Sequence, residues 1–164
     1  MLIYLRHGDD RGEDVYRHDR RLNDRGRKQA GKKAARLIRK HGHPDAVFVS
    51  PFRRAIETVN CMTASFERLV VVQADSRIAQ LLTDKHLRDL SISPVTLRAI
   101  TVEEDRSAFH DRVQSHVRDV RERAERGEII WCITHQVVVE EAARLFDMKI
   151  SGRLDFLDHV IVLR

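Results

Sequence analysis

Five short runs of apolar, largely β-branched residues punctuate the chain: Leu2 to Leu5, Ala46 to Val49, Leu69 to Val72, Ile129 to Ile133 and Val160 to Leu163. In each run both phases of the two-residue pleat are apolar, the pattern of strands covered on both faces. Helical periodicity fills the intervals. Ala30, Ala34, Leu37 and Ile38 share one stripe, and Ala55, Ile56, Val59 and Met62 share the next. A longer stripe runs through Phe109, Val113, Val117, Val120 and Ala124, and Val138, Ala142, Leu145 and Phe146 repeat it. Strands alternating with helices predict an α/β fold, a three-layer α/β/α sandwich around a mostly parallel central sheet.

Polar punctuation marks the boundaries. Asn23 is placed to cap the first helix and Ser50 the second, with Pro51 at the first helical position, where no amide donor is needed. Gly42 and Pro44 close the first helix, and Gly127 closes the long one. The stretch from Asp84 to Glu103, interrupted by Pro94, shows no clean period and reads as loop with short helix. With no repeat, linker or low-complexity tract, residues 1–164 are expected to form a single domain.

Composition narrows the class. A 42% hydrophobic share beside 34% charged residues describes a folded chain with a crowded ionic exterior, not a disordered one. The longest apolar runs are too short to span a bilayer, and Met1 leads almost directly into a strand, so a cytoplasmic location without membrane attachment is expected. Cys61 and Cys132 lack metal-ligand or CxxC spacing and read as reduced core thiols. The net charge of +5 leaves two partners open, an anionic substrate or a nucleic acid. The basic excess concentrates between Arg17 and Lys40, but neither aromatic interleaving nor a nucleic-acid-binding signature accompanies it, which argues against nucleic acid.

The chemistry concentrates at three strand ends. Leu5-Arg6-His7-Gly8 follows the first strand, Ser50-Pro51-Phe52-Arg53-Arg54-Ala55 the second, and Thr134-His135-Gln136 the fourth. The latter two open helices whose first amides and positive dipole ends attract anions. In open α/β sheets, ligands bind outside the carboxyl ends of strands, so these turns are expected to converge on one crevice. Two arginines and two histidines meeting there repel one another unless an anion balances them, and phosphate is the natural candidate. The other seven histidines (His18, His41, His43, His86, His110, His116 and His159) each stand alone and read as structural or surface residues.

The ordered set formed by Leu5-Arg6-His7-Gly8, Leu22-x-x-x-Gly26-x-x-Gln29-Ala30, Ser50-Pro51-x-x-Arg54-Ala55-x-x-Thr58 and Thr134-His135 resembles the histidine phosphatase, or phosphoglycerate mutase-like, superfamily. The Arg6-His7-Gly8-Asp9 opening and the chain length are most similar to its short, single-domain phosphohistidine phosphatases. The resemblance implies a phosphoglycerate mutase-like fold and a phosphatase in which His7 attacks phosphorus and carries it as phosphohistidine. Arg6, Arg54 and His135 would hold the phosphoryl oxygens, with Gln136 a further substrate contact. No cofactor or metal is implied, and the substrate would be a phosphorylated protein or a small phosphorylated compound.

One departure stands out. Many members carry a glutamate after the third strand that protonates the leaving oxygen, and by position this chain offers Gln80, whose amide is no acid. Asp84, four residues on, and Asp9, beside the nucleophile turn, are the carboxylates that could take its place. Without a strong acid the leaving group must depart readily, which favours phosphohistidine or aryl phosphate over sugar phosphates and disfavours mutase action. Two alternatives stay open: a phosphate-recognising pseudoenzyme or scaffold, and a small-molecule phosphatase or mutase of the same superfamily.

Overall fold

The computed structural model describes residues 1–12, 20–80, 105–150 and 152–163. Strands β1 (Leu2–Arg6), β2 (Ala46–Val49), β3 (Val71–Ala74), β4 (Ile130–Thr134) and β5 (His159–Leu163) form one sheet in the order β3-β2-β4-β1-β5. All neighbouring strands are parallel except β5, which runs antiparallel to β1. The helices among the described residues are α1 (Asp24–His41), α2 (Arg53–Thr63), α3 (Arg106–Glu125) and α4 (Gln136–Leu145). A 3₁₀ turn, Ser76–Ile78, follows β3.

Alternation along the strands divides the interior in two. Leu2 and Tyr4 of β1, Phe48 of β2 and Ile130 and Cys132 of β4 face α3 and α4, meeting Val113, Val117, Val120, Val138 and Ala142. Ile3, Leu5, Val47, Val49, Trp131 and Ile133 face the other way, onto Ala30, Ala34 and Leu37 of α1 and Ala55, Val59 and Met62 of α2. This is the expected three-layer α/β/α sandwich. Every residue of β1 and β4 is buried, so truncating a central leucine such as Leu5 would cost about 2–5 kcal/mol. The small face of α1, Ala30 and Ala34, brings that helix close to the sheet and to α2.

The helix boundaries follow local chemistry. Asn23 caps α1, its side chain accepting from the Gly26 amide at 2.7 Å. Gly42 ends α1 at φ 91° and Gly127 follows α3 at φ 97°, conformations that cost glycine nothing. The expectation that Ser50 caps α2 requires correction: the capping position is Phe52, without a side-chain cap, and Ser50 bonds elsewhere.

The third strand also differs from expectation. It lies two residues later than the apolar run Leu69–Val72, and all four of its residues are exposed rather than buried. Register explains the shift, because Ala46 to Val49 pair with Val71 to Ala74, and Leu69 and Val70 precede that pairing. Among the described residues β3 is an edge strand paired with β2 alone, and Leu69, Val71 and Val72 are exposed. Among the described residues no helix is long and apolar enough to cross a membrane. The segment Asp84 to Glu103, together with Arg17, His18 and His86, lies outside the described residues.

Candidate active site

Backbone pairing carries the three motifs to one edge of the sheet. Arg6 ends β1, and the next amide, that of His7, donates to the Thr134 carbonyl at 2.8 Å, extending the β1–β4 pairing into the turn. On the other side the Arg6 amide donates to the Asp158 carbonyl at 2.9 Å. The Gly8 amide donates to Thr58 Oγ1 at 2.9 Å, and the Thr58 hydroxyl donates to the Arg54 carbonyl at 2.7 Å. Thr58 thus ties the turn after β1 to α2 one helical turn beyond Arg54. Gly26 of α1 packs against the same turn so closely that a Cβ there would lie 2.3 Å from the Asp9 carbonyl oxygen.

These ties bring His7, Arg54 and His135 into contact. The His7 and His135 ring centroids are 5.2 Å apart. His7 Nδ1 sits 2.8 Å from the Gly8 carbonyl oxygen, which can only accept, so Nδ1 carries the proton and Nε2 keeps its lone pair. Arg54 Nε donates to that Nε2 at 3.1 Å. His135 is fixed in the opposite tautomer: its Nδ1 faces Arg54 Nη2 at 3.3 Å and must accept, so Nε2–H donates to Ser50 Oγ at 2.8 Å. Arg6 Nη1 donates to the Leu154 carbonyl, and its guanidinium stacks on Phe156, 4.2 Å from the ring centroid. Arg6, His7, Arg54 and His135 are all buried.

Burial and like charge set the protonation. Both imidazoles are held well below the ordinary histidine value, first by desolvation and then by the Arg54 guanidinium. At neutral pH both rings are therefore neutral beside two arginines. Arg6 is lowered by burial and by Arg153, and raised by Asp10, Asp155 and Asp158. The cluster carries net positive charge in a dry place, where an anion is attracted more strongly than in water. Both helices that start here, α2 and α4, lack a side-chain cap, whereas α1 and α3 are capped by Asn23 and Asp105. The first turns of both helices thus carry amides without a capping side chain, which suits an anion.

The remaining candidates separate. Gln80 joins the cluster, its Oε1 accepting from Arg54 Nη2. Asp9 does not: its carboxylate is gripped by the Arg11 side chain at 2.7 and 3.0 Å and also accepts from the Arg11 amide. The Arg11 hydrogen bonds hold it down at about 2, so Asp9 is a poor proton donor, and its place as one is withdrawn. The Gln136 amide donates to Glu140 of its own helix at 2.7 Å, not toward the cluster, which corrects its expected role as a substrate contact. Asp84 lies outside the described residues.

Three contributors were missed in the sequence. Asp10 Oδ2 lies 3.7 Å from Arg54 Nε with its side chain only 11% exposed, and its nearness to His7 in sequence was the available signal. Phe156, whose ring centroid is 5.8 Å from that of His7, comes from the loop before β5, where no motif marks it. Ser50 lies inside the Ser50-Pro51-x-x-Arg54 motif, where its place before a helix suggests a cap rather than the partner of His135.

A sequence model described as histidine phosphatase superfamily, branch 1, matches residues 2–156. The chain belongs to that superfamily. The phosphatase assignment made from the strand-end motifs stands with it. Solved structures give the same fold. A mycobacterial glucosyl-3-phosphoglycerate phosphatase in complex with VO3 is 18% identical with a TM-score of 0.70, over 96% of this chain and 88% of that one. The protein histidine phosphatase SixA with tungstate is 16% identical with a TM-score of 0.66, over 95% and 83%. An ecdysone phosphate phosphatase from Bombyx mori, also with tungstate, is 13% identical with a TM-score of 0.68, over 96% and 86%. At these identities the likeness speaks for the fold. No curated protein matches the sequence significantly.

Proposed function

We propose that this chain hydrolyses phosphoramidates or phosphomonoesters without a metal, through a phosphohistidine formed on His7. One observation carries the reading: His7 is neutral, its Nδ1 is committed to the Gly8 carbonyl, and its Nε2 lone pair lies at the Arg54 guanidinium. A neutral imidazole in one fixed tautomer is a ready nucleophile toward phosphorus. Arg54 and Arg6 supply fixed positive charge for the oxygens of the transferring group, the part that magnesium plays in other phosphoryl-transfer sites. Arg6 Nε is buried without a hydrogen-bond partner among the described residues, as a donor meant for an incoming oxygen would be. His135, donating from Nε2 to Ser50, presents Nδ1 to Arg54 and so orients that guanidinium.

The substrate is a phosphorylated protein or a small phosphorylated compound. The Gln80 amide cannot protonate a leaving atom, which favours phosphohistidine and phosphotyrosine over alkyl esters as far as Gln80 decides the matter. Two unpaired cysteines, Cys61 and Cys132, fit a reducing, cytoplasmic setting.

The test is p-nitrophenyl phosphate in excess chelator. Wild type should release nitrophenol and His7→Ala should fall below detection; equal rates in the two would overturn the assignment. A second reading, a phosphate-recognising module without turnover, is favoured by the tie between Gln80 and Arg54, which puts an amide where an acid would serve. Tungstate binding with no hydrolysis of any phosphate ester would establish that reading instead.

A further inference from the structure

Gln80 leaves the leaving group without a proton source, yet a carboxyl group is present at the cluster. Asp10 extends from the turn that carries His7, and its Oδ2 lies 3.7 Å from Arg54 Nε, the same nitrogen that donates to His7 Nε2 at 3.1 Å. Through that shared nitrogen, the carboxylate oxygen is at most about 7 Å from the nucleophile. Phosphorus stands about 3 Å from an attacking atom, and a general acid about 3 Å from the atom it protonates. A separation within that bound suits a bent path from nucleophile through phosphorus and leaving atom to the acid. The side chain is 11% exposed, so solvent is largely excluded.

The neighbouring carboxylates are engaged differently. Asp9 is held by Arg11, and Asp158 accepts from the Asp155 amide at 2.7 Å. At 3.7 Å, Asp10 meets Arg54 beyond hydrogen-bond distance. Asp10 also acts on Arg6 through charge. Its charge thus bears on both guanidinium groups that the proposed function assigns to phosphate.

We propose that Asp10 is the general acid of this site, a role that rests on the phosphohistidine reading above. When a phosphate dianion enters, the two anions repel at contact distance unless the carboxylate takes up a proton. That proton is then available to the leaving atom. His7 Nε2 gives its lone pair to phosphorus and the N–P bond forms. The bond from phosphorus to the leaving oxygen or nitrogen breaks, its electron pair stays with the leaving atom, and the Asp10 proton goes there. In the second half the Asp10 carboxylate takes a proton from water as the water oxygen bonds to phosphorus. The N–P bond breaks, its pair returns to His7, and inorganic phosphate departs.

With an acid at Asp10, the substrate class widens from activated phosphates to alkyl phosphate monoesters. The experiment compares Asp10→Asn with wild type on 2,4-dinitrophenyl phosphate, whose leaving group needs no proton, and on β-glycerophosphate, whose alkoxide does. Asp10→Asn should lose about 100-fold or more in kcat/KM on the alkyl ester and no more than several-fold on the dinitrophenyl ester. Equal losses on both, no loss on either, or a wild type inactive on the alkyl ester would each overturn the assignment. Tungstate-induced thermal stabilisation retained in the variant shows that its pocket is intact, and Asp10→Ala should repeat the pattern. Acid-labile phosphoenzyme trapped from dinitrophenyl phosphate reports on His7 separately. If it forms in wild type and variant alike without a leaving-group difference, only Asp10 is rejected; if it forms in neither, the phosphohistidine reading itself fails.

Discussion

Two buried histidine clusters in this molecule are held in opposite ways. His116 of α3 is fully buried, but its Nδ1 donates to the Asp75 carboxylate at 2.9 Å, and Asp75 is in turn clasped by Arg77 at 2.8 Å. Although burial pushes Asp75 upward, the hydrogen bonds from His116 and Arg77 outweigh it and hold the carboxyl well below its usual range. On its other side His116 Nε2 lies 3.4 Å from Cys132 Sγ, whose thiol burial keeps protonated. The cluster of His7, His135, Arg54 and Arg6 has two guanidinium groups and no carboxylate within hydrogen-bond distance of either imidazole, among the described residues. The first cluster is finished by the fold. The second sets two guanidinium groups beside two neutral imidazoles, with the Asp10 carboxylate 3.7 Å from Arg54, and such a setting distinguishes a functional histidine from a structural one where burial alone does not.

Four measurements sharpen or break that contrast. Arg54→Ala should lower kcat/KM about 10³-fold, because it removes fixed positive charge from the transferring group, with a smaller effect on stability than a change at Asp75. Asp75→Ala should do the reverse, costing about 3 kcal/mol in chemical denaturation by leaving His116 and Arg77 without their shared carboxylate. If Arg54→Ala destabilises as much as Asp75→Ala, the contrast is wrong. Tungstate at about 100 times its Kd should raise stability by about 2.7 kcal/mol in wild type and by much less in Arg54→Ala, read as a shift in Tm.

The smallest effect concerns pH. His7 and His135 are held well below the unfolded value near 6.5, so between the folded and unfolded values the unfolded chain binds more protons. Their contribution is intact above about pH 6.5 and is lost as pH falls, by up to about 1.4 kcal/mol per pH unit for each histidine. His116 and His159 are lowered too and add to the slope in the same direction. The lowered carboxylates Asp9 and Asp75 enter only below about pH 4. Denaturation midpoints between pH 7 and 5 should therefore fall, and fall less steeply in His7→Asn; identical slopes would remove His7 from the account.

Much of the fold was legible because β1, β2 and β4 are apolar at both phases, the pattern of a doubly covered strand. The β3 run misled for the same reason: Leu69 to Val72 is equally apolar, yet the pairing register with Ala46 to Val49 decides which residues join the sheet. Arg6, His7, Arg54 and His135 were readable as a group because each sits in a short motif next to a strand, where topology forces convergence. Asp9 and Asp10 were not separable. Which of two adjacent carboxylates faces the arginines depends on Arg11 and on the Asn23 amide, which donates to the Asp9 carbonyl at 3.0 Å, neither of them visible as a pattern. Phe156 was beyond reach, since a ring in a loop carries no period.

The hydrogen atom at Gly26 sets a mechanical limit on all of this. A methyl group there would sit 2.8 Å from the Asp9 amide nitrogen as well as against its carbonyl, so any side chain acts as a wedge between α1 and the segment that bears both His7 and Asp10. The spacing between nucleophile and acid is thus gauged from outside, by how tightly α1 is allowed to close. Alanine at this position would alter the reaction without removing a single charged or hydrogen-bonding side chain.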